Sequence, residues 1–369
     1  MQKMLFISID PILYRRRVIN QANAAKGSNW DVHVISVGPK FKAEQPWEIT
    51  YVKNPFKKGP LRFLFFNILV LGHILRNDYF AIHARGLWVL PSVLTARIVK
   101  KFKLIYDAHE YFAGHELFQK HLWRRIAWLP FERATVPLMD VLITVSEPLA
   151  EFYKKRYPKL KNIKVIRSLP LKSTISAPAK NETLQIVFHG YFLPGRGIFE
   201  LLNALHPLKN EDFRFTLFGE GPLKDSIEET INQLDLSGKI QIKPFVPSEK
   251  LLSTINFADL GIALIEADCL NRKYALPNKF FEYIHAGVAV LSSTIPTLKD
   301  YVTKYDVGYC ADVESAAEIT KTIRYILNNR LDLAAKRANC VSASEILCWQ
   351  NESIKQIEIY NALLDGRWL

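Results

Sequence analysis

Four cysteines in 369 residues (Cys269, Cys310, Cys340 and Cys348) form no Cys-x-x-Cys pair and have no histidine at zinc spacing. That excludes a disulfide framework or a structural zinc site as the organising device, and free thiols in a reducing compartment are expected. Long apolar runs are also lacking. The longest, Phe63 to Leu75, covers 13 residues and is interrupted by Asn67, Gly72 and His73, against roughly 20 for a membrane-crossing helix. There is no Gly-x-Gly-x-x-Gly to suggest a dinucleotide and no Asp-x-Asp to suggest a metal-chelating diphosphate site. The opening residues, Met1 to Asp10, read as a buried strand and are not expected to be a signal peptide. Acidic residues are short in one half only: up to Arg167 there are 28 Lys and Arg against 12 Asp and Glu, and from Ser168 onward 21 against 24. The excess of the +13 net charge therefore sits in the first half, which points to an anionic partner for that half. No nucleic-acid module accompanies the charge, so nucleic acid is not the expected partner.

What is present is a globular chain, 49% hydrophobic and 12% aromatic, long enough for about two domains. The first half alternates strands with helices. Leu5 to Ile9, Asp31 to Val37, Ile49 to Lys53, Ala81 to Ala84, Lys103 to Tyr106 and Val141 to Val145 read as strands. Tyr14 to Lys26, Leu61 to Arg76, Leu90 to Lys101 and Glu147 to Arg156 read as helices. Residues 169–183, rich in Pro, Ser and Ala, read as a linker. A second series then runs through strands at Leu184 to Gly190, Phe213 to Phe218, Ile240 to Ile242, Leu260 to Leu264, Ala289 to Leu291 and Gly308-Tyr309. Such alternation predicts an α/β chain of two Rossmann-like, doubly wound parallel-sheet domains, 1–168 and 184–349, with ligands at the carboxyl ends of the strands.

One stretch, Tyr274 to Ser293, carries the densest chemistry. Leu276-Pro277 reads as a loop feeding a helix start, and from Asn278 to His285 the apolar Phe281 and Ile284 fall at helical spacing. Gly287 closes the helix and Val288 to Leu291 is a short buried strand. A helix N-terminus suits an anion. Lys279 in the first turn has the wrong sign for stabilising that end, so it is expected to face a ligand's phosphate. Glu282, one turn on, can accept hydrogen bonds from hydroxyls. A nucleoside diphosphate attached to a sugar satisfies all three features.

Leu276-Pro277-Asn278-Lys279-x-Phe281-Glu282-Tyr283, with Ala286-Gly287 and the strand behind it, resembles the donor-binding element of family 4 glycosyltransferases of GT-B fold. The resemblance implies two domains facing a cleft, with residues 350–369 crossing back onto the first. It implies a nucleotide-sugar substrate such as a UDP- or GDP-sugar, no resident cofactor and no metal. The family's Gly-Arg, four residues, Lys-Gly pattern meets Gly190-Tyr191 and Arg196-Gly197 here, so Arg196 stands where a diphosphate-holding cation is expected and Tyr191 replaces the other. Phe218-Gly219-Glu220-Gly221-Pro222 resembles the family's Gly-x-Gly-Pro loop, and Phe245-Val246-Pro247 the loop whose backbone reads the base. Of the family's two glutamates, Glu282 matches the one that binds ribose. Tyr274 occupies the position of the other, which contacts the donor sugar near the reacting carbon; Glu266 or Asp268 is an alternative carboxylate. His109, in Asp107-Ala108-His109-Glu110 at a strand's carboxyl end, matches a histidine that reaches donor sugar and phosphate. His109, Arg196 and Glu282 are thus the catalytic candidates, with Gly190, Gly219, Phe245, Val246, Tyr274, Leu276, Pro277, Asn278 and Lys279 around the donor.

Three basic stretches, two of them interleaved with aromatics, mark the first half: Arg15-Arg16-Arg17, Lys57-Lys58 before the apolar Phe63 to Leu75 segment, and Trp123-Arg124-Arg125. Basic side chains near an anionic leaflet contribute on the order of 1 kcal/mol each, so these are assigned to an acceptor and membrane side. The expected activity is retaining transfer of a sugar to a hydroxyl of a lipid-linked or other glycan acceptor for a bacterial surface polysaccharide. The expected location is cytoplasmic, held peripherally at the inner face of the plasma membrane. A GT-B sugar-nucleotide epimerase or hydrolase, and a non-catalytic GT-B glycan-binding or partner-binding module, remain open beside it.

Overall fold

The computed structural model describes residues 1–41, 44–114, 122–172 and 181–366 and, of 122–124, the backbone only. The chain divides into two compact units, Met1–Ser168 with Trp349–Leu369, and Leu169–Cys348.

The first unit is built on seven parallel strands: β1 (Lys3–Ser8), β2 (Asp31–Val37), β3 (Glu48–Val52), β4 (Ala81–Arg85), β5 (Lys103–Asp107), β6 (Val141–Thr144) and β7 (Ile163–Val165), in spatial order β3-β2-β1-β4-β5-β6-β7. Strands covered on both faces read as continuous apolar runs, which is why β1, β4 and β6 are buried nearly end to end. The helix Trp349–Leu364 completes this core: Trp349, Ile359, Tyr360 and Leu363 pack with Phe6, Trp30 and Val32. Gln21 Nε2 donates to Gln356 Oε1 at 3.2 Å, and the Arg167 amide donates to Glu352 Oε1 at 2.8 Å.

The second unit has six parallel strands: β8 (Leu184–Tyr191), β9 (Phe213–Glu220), β10 (Ile240–Lys243), β11 (Leu260–Ala263), β12 (Ala289–Ser293) and β13 (Gly308–Ala311), ordered β10-β9-β8-β11-β12-β13. In both sheets the strand order reverses beside the first strand, between β1 and β4 and between β8 and β11. These are the two switch points at which an open α/β sheet receives ligands.

Differences from the expected elements are local. The short β7 was not expected, because Lys161 and Lys164 break its apolar pattern and only pairing with β6 makes it a strand. The helix expected over Leu90 to Lys101 stops at Arg97, and the exposed Ile98 and Val99 lie in the turn beyond it.

Candidate active site

The helix Asn278–His285 begins after Pro277 with no side-chain cap and no acidic residue in its first turn. It buries Phe280, Phe281, Tyr283 and Ile284. Its far end is closed by Gly287 at φ +65°, with the Gly287 amide donating to Ile284 O and the Val288 amide to Tyr283 O. The left-handed residue that this paired cap requires is cheap only for glycine.

With the helix so held, Lys279 and Glu282 both face the carboxyl end of β8. Lys279 Nζ lies 3.5 Å from the centre of the Phe188 ring and against Gly190, where an added Cβ would stand 3.6 Å from it. Burial first and then Arg196 push the Lys279 ammonium well below its ordinary pKa, while Glu282 opposes them. A diphosphate placed here restores the charged form, and Arg196 adds a second cation from the turn after β8.

Glu282 Oε2 stands 3.5 Å from His189 Nε2. His189 is buried on β8 against the Tyr283 ring, and its amide donates to the Tyr283 hydroxyl at 3.2 Å, which in turn donates to Ile262 O at 3.3 Å. Burial, then Lys279, lowers His189 to about 3, so the imidazole is neutral at physiological pH. Sequence reasoning missed this residue. The available signal was a histidine at a strand's carboxyl end, between Phe188 and Gly190, the same argument that singled out His109.

The glycine turns pack on one another. A Cβ on Gly219 would overlap the carbonyl oxygen of Gly190, and one on Gly221 would stand 2.6 Å from the Phe192 carbonyl oxygen. Close approach of these two turns leaves room for no side chain. Leu276 is buried, and Val246 packs on the core beneath it, while Phe245 is exposed. Tyr274 follows the short helix Leu270–Lys273, its amide donating to Leu270 O. Glu266 and Asp268 face Arg272, whose Nη1 is 4.0 Å from the first and 2.5 Å from the second. Both alternative carboxylates are thus drawn to a guanidinium.

In the first unit, His109 lies just past β5. Arg85 Nη2 is 3.1 Å from His109 Nε2. A guanidinium only donates, so Nε2 accepts and the neutral ring carries its proton on Nδ1. Burial first, then Arg85, lowers His109 to about 4. Its Nδ1 is buried without a hydrogen-bond partner among the described residues.

The arginine run divides. Arg17 is not on the surface side assigned to it: its Nε and Nη2 donate to Asp107 at 2.9 Å and its Nη1 to Ile166 O at 2.6 Å, all buried. On the helix Arg16–Gly27, position 17 faces the sheet, and the buried Asp107 needs a counter-charge. Arg15 pairs with Asp10 at 3.0 Å, and Arg16 is part-exposed. Lys57 and Lys58 are exposed. On the helix that follows, Pro60–Arg76, Phe66, Val70 and Ile74 are buried, while Leu61, Leu64, Ile68 and Leu75 form an exposed apolar stripe. The side chains of Trp123 and Arg124 lie outside the described residues, and Arg125 is exposed.

Among the described residues no group of three or more His, Cys, Asp or Glu is placed to hold a metal ion, and no helix is long and apolar enough to cross a membrane. Residues 15–168 match the family Glycosyltransferase Family 4, and residues 173–345 match the family Glycosyl transferases group 1. Over 116 residues the chain is 29% identical to the chitobiosyldiphosphodolichol beta-mannosyltransferase of Candida albicans, a match covering 30% of this chain and about a quarter (25%) of that protein's length. The sucrose-phosphate synthase of Thermosynechococcus elongatus has the same fold, with a TM-score of 0.84 at 16% identity over 99% of this chain and 100% of that one. Anabaena Alr3699/HepE, solved in complex with UDP and glucose, superposes with a TM-score of 0.78 at 14% identity over 99% and 100% of the two chains.

Proposed function

Since the chain belongs to the group 1 and family 4 glycosyltransferases of GT-B fold, we propose that it moves a sugar from a nucleoside-diphosphate sugar to a hydroxyl of a glycan acceptor, with retention and without a metal. The observation that carries this reading is the pairing, one helical turn apart, of Lys279 and Glu282 beside Gly190 at the β8–β11 switch point, with Arg196 acting on Lys279. Two cations and an uncapped helix start take the diphosphate, and the carboxylate accepts from the ribose hydroxyls. As the glycosidic bond breaks, negative charge grows on the departing diphosphate, where Lys279 and Arg196 stabilise it. In front-face transfer the leaving phosphate oxygen takes the proton of the attacking hydroxyl, so no side chain is needed as base. UDP and glucose in the Anabaena relative make a UDP-hexose the first donor to try.

For the acceptor side we favour a lipid-linked glycan at an anionic membrane surface of the cytoplasmic face. The exposed Leu61, Leu64, Ile68 and Leu75, with Lys57 and Lys58 ahead of them, support it. The test is a thermal-shift panel of nucleoside diphosphates, followed by turnover with the donor that binds. One nucleotide should raise the melting temperature, and Glu282→Ala or Arg196→Ala should remove turnover with the fold intact. Full turnover in both variants sinks the site assignment, and no shift with any nucleotide favours the non-catalytic module.

A further inference from the structure

The switch point of the first sheet is ringed by more positive charge than its own carboxylates balance. Asp10 follows β1, Arg85 ends β4 and His109 follows β5. Arg15, ahead of the helix Arg16–Gly27, lies 3.0 Å from Asp10; Arg85 lies 3.2 Å and Arg62 3.8 Å from it. Three guanidinium groups thus share the Asp10 carboxylate; among the described residues the other acids acting on the cluster are Glu110, 3.8 Å from His109, and Asp107, which is already committed to Arg17. Buried Nε donors on Arg15 and Arg85, and Nδ1 of His109, have no hydrogen-bond partner among the described residues. A buried donor left unpaired is costly. Arg15 and Arg16 also sit at the positive end of a helix dipole, where like charge is unfavourable. The backbone at Asp10 is fixed, its carbonyl accepting from Ser8 Oγ and Ser36 Oγ at 3.1 and 2.9 Å. The donor chemistry described above uses none of the three arginines.

We propose that Arg15, Arg62 and Arg85, with His109 Nδ1–H, form a phosphate site, and that the acceptor sugar carries a phosphate or diphosphate there. This rests on the glycosyltransferase reading, because it is the acceptor that the first unit would hold. Guanidinium forks match phosphate oxygens, and Asp10 is the placeholder that keeps the three side chains together until the anion arrives.

All seven tryptophans fall in the first unit by sequence, so a tryptophan-fluorescence melt of the full chain reports that unit alone. Inorganic phosphate, against chloride at matched ionic strength, should raise this transition. Arg15→Gln and Arg62→Gln should each weaken the apparent affinity about tenfold, the order of one charge-assisted hydrogen bond. Asp10→Asn should tighten it, a gain that a merely destabilised fold does not produce. No phosphate-specific rise, or affinities in both Arg variants within twofold of wild type, overturns the proposal.

Arg196→Ala/Lys279→Ala separates the two readings. It should abolish the nucleotide effect and leave the phosphate effect on the tryptophan melt unchanged, whereas loss of the phosphate effect would place that anion in the second unit and overturn the site. Displacement of phosphate by a soluble hexose phosphate supports a soluble acceptor. Displacement by phosphatidylcholine vesicles carrying a polyprenyl diphosphate supports a lipid carrier, and displacement by neither overturns the acceptor assignment.

Discussion

Replacing Arg17 by alanine tests whether the run Arg15-Arg16-Arg17 is one surface or two environments. In the folded chain the Arg17 guanidinium gives Asp107 three hydrogen bonds and Ile166 a fourth, with both side chains almost wholly buried. Removing one partner of such a pair strands a buried charge, at a cost of about 3–5 kcal/mol. The penalty should depend on pH through His83, whose Nε2 is 3.8 Å from Asp107 Oδ2. In the native chain burial lowers His83 against the pull of Asp107, and Arg17 adds to the lowering. A histidine lowered on folding loses stability as pH falls through its unfolded value, near 6.5. Without Arg17 the unpaired Asp107 pulls His83 back up against burial, so less stability is lost as pH falls. The gap between wild type and Arg17→Ala should therefore widen from about pH 6 to pH 8. Urea unfolding followed by tryptophan emission isolates the first unit. A gap under about 1 kcal/mol at pH 8, or weaker vesicle binding with unchanged stability, would falsify the buried-pair account.

Three further outcomes are expected. Gly219→Ala, whose Cβ overlaps the Gly190 carbonyl, should remove nucleoside-diphosphate binding while leaving the tryptophan transition in place; retained binding in a thermal-shift assay means the turn can open cheaply. His189 stays neutral down to about 3, whereas its unfolded form gains a proton near 6.5. The calorimetric stability advantage of wild type over His189→Asn should accordingly shrink by about 2 kcal/mol between pH 7.5 and pH 5, and a constant difference refutes the burial argument. Leu64→Glu/Ile68→Glu, at side chains 57% and 56% exposed, should abolish flotation with anionic vesicles and change stability by under about 0.5 kcal/mol. Unchanged flotation would remove the membrane reading of that helix.

The strands were legible because a parallel strand covered on both faces needs apolar residues throughout, and β2, Asp31–Val37, emerges with its expected bounds. The helix Asn278–His285 was legible for a related reason: its proline entry and glycine exit are local chemistry. Contacts made across the sequence were not. Arg17 and Asp107 stand 90 residues apart, and nothing in three consecutive arginines says which one the helix turns inward. His189 lay in an expected strand, yet its meeting with Glu282 depends on how β8 and a later helix pack. Likewise Arg85 carried no signal until the sheet gathered it with Arg62 around Asp10.

Because the first unit reclaims the chain at Trp349, the second unit is a single uninterrupted insertion within it. A ribosome must therefore add everything from Leu169 to Cys348 before the helix Trp349–Leu364 can supply the last pieces of the first core. At typical elongation rates that wait is on the order of ten to forty seconds. The inner domain can close while the outer one still shows an unfilled apolar face, the seat of Trp349, Ile359, Tyr360 and Leu363. The usual order of synthesis is inverted: the part begun first is finished last, and its seam is where a nascent chain of this protein is most open to holdase binding or to aggregation.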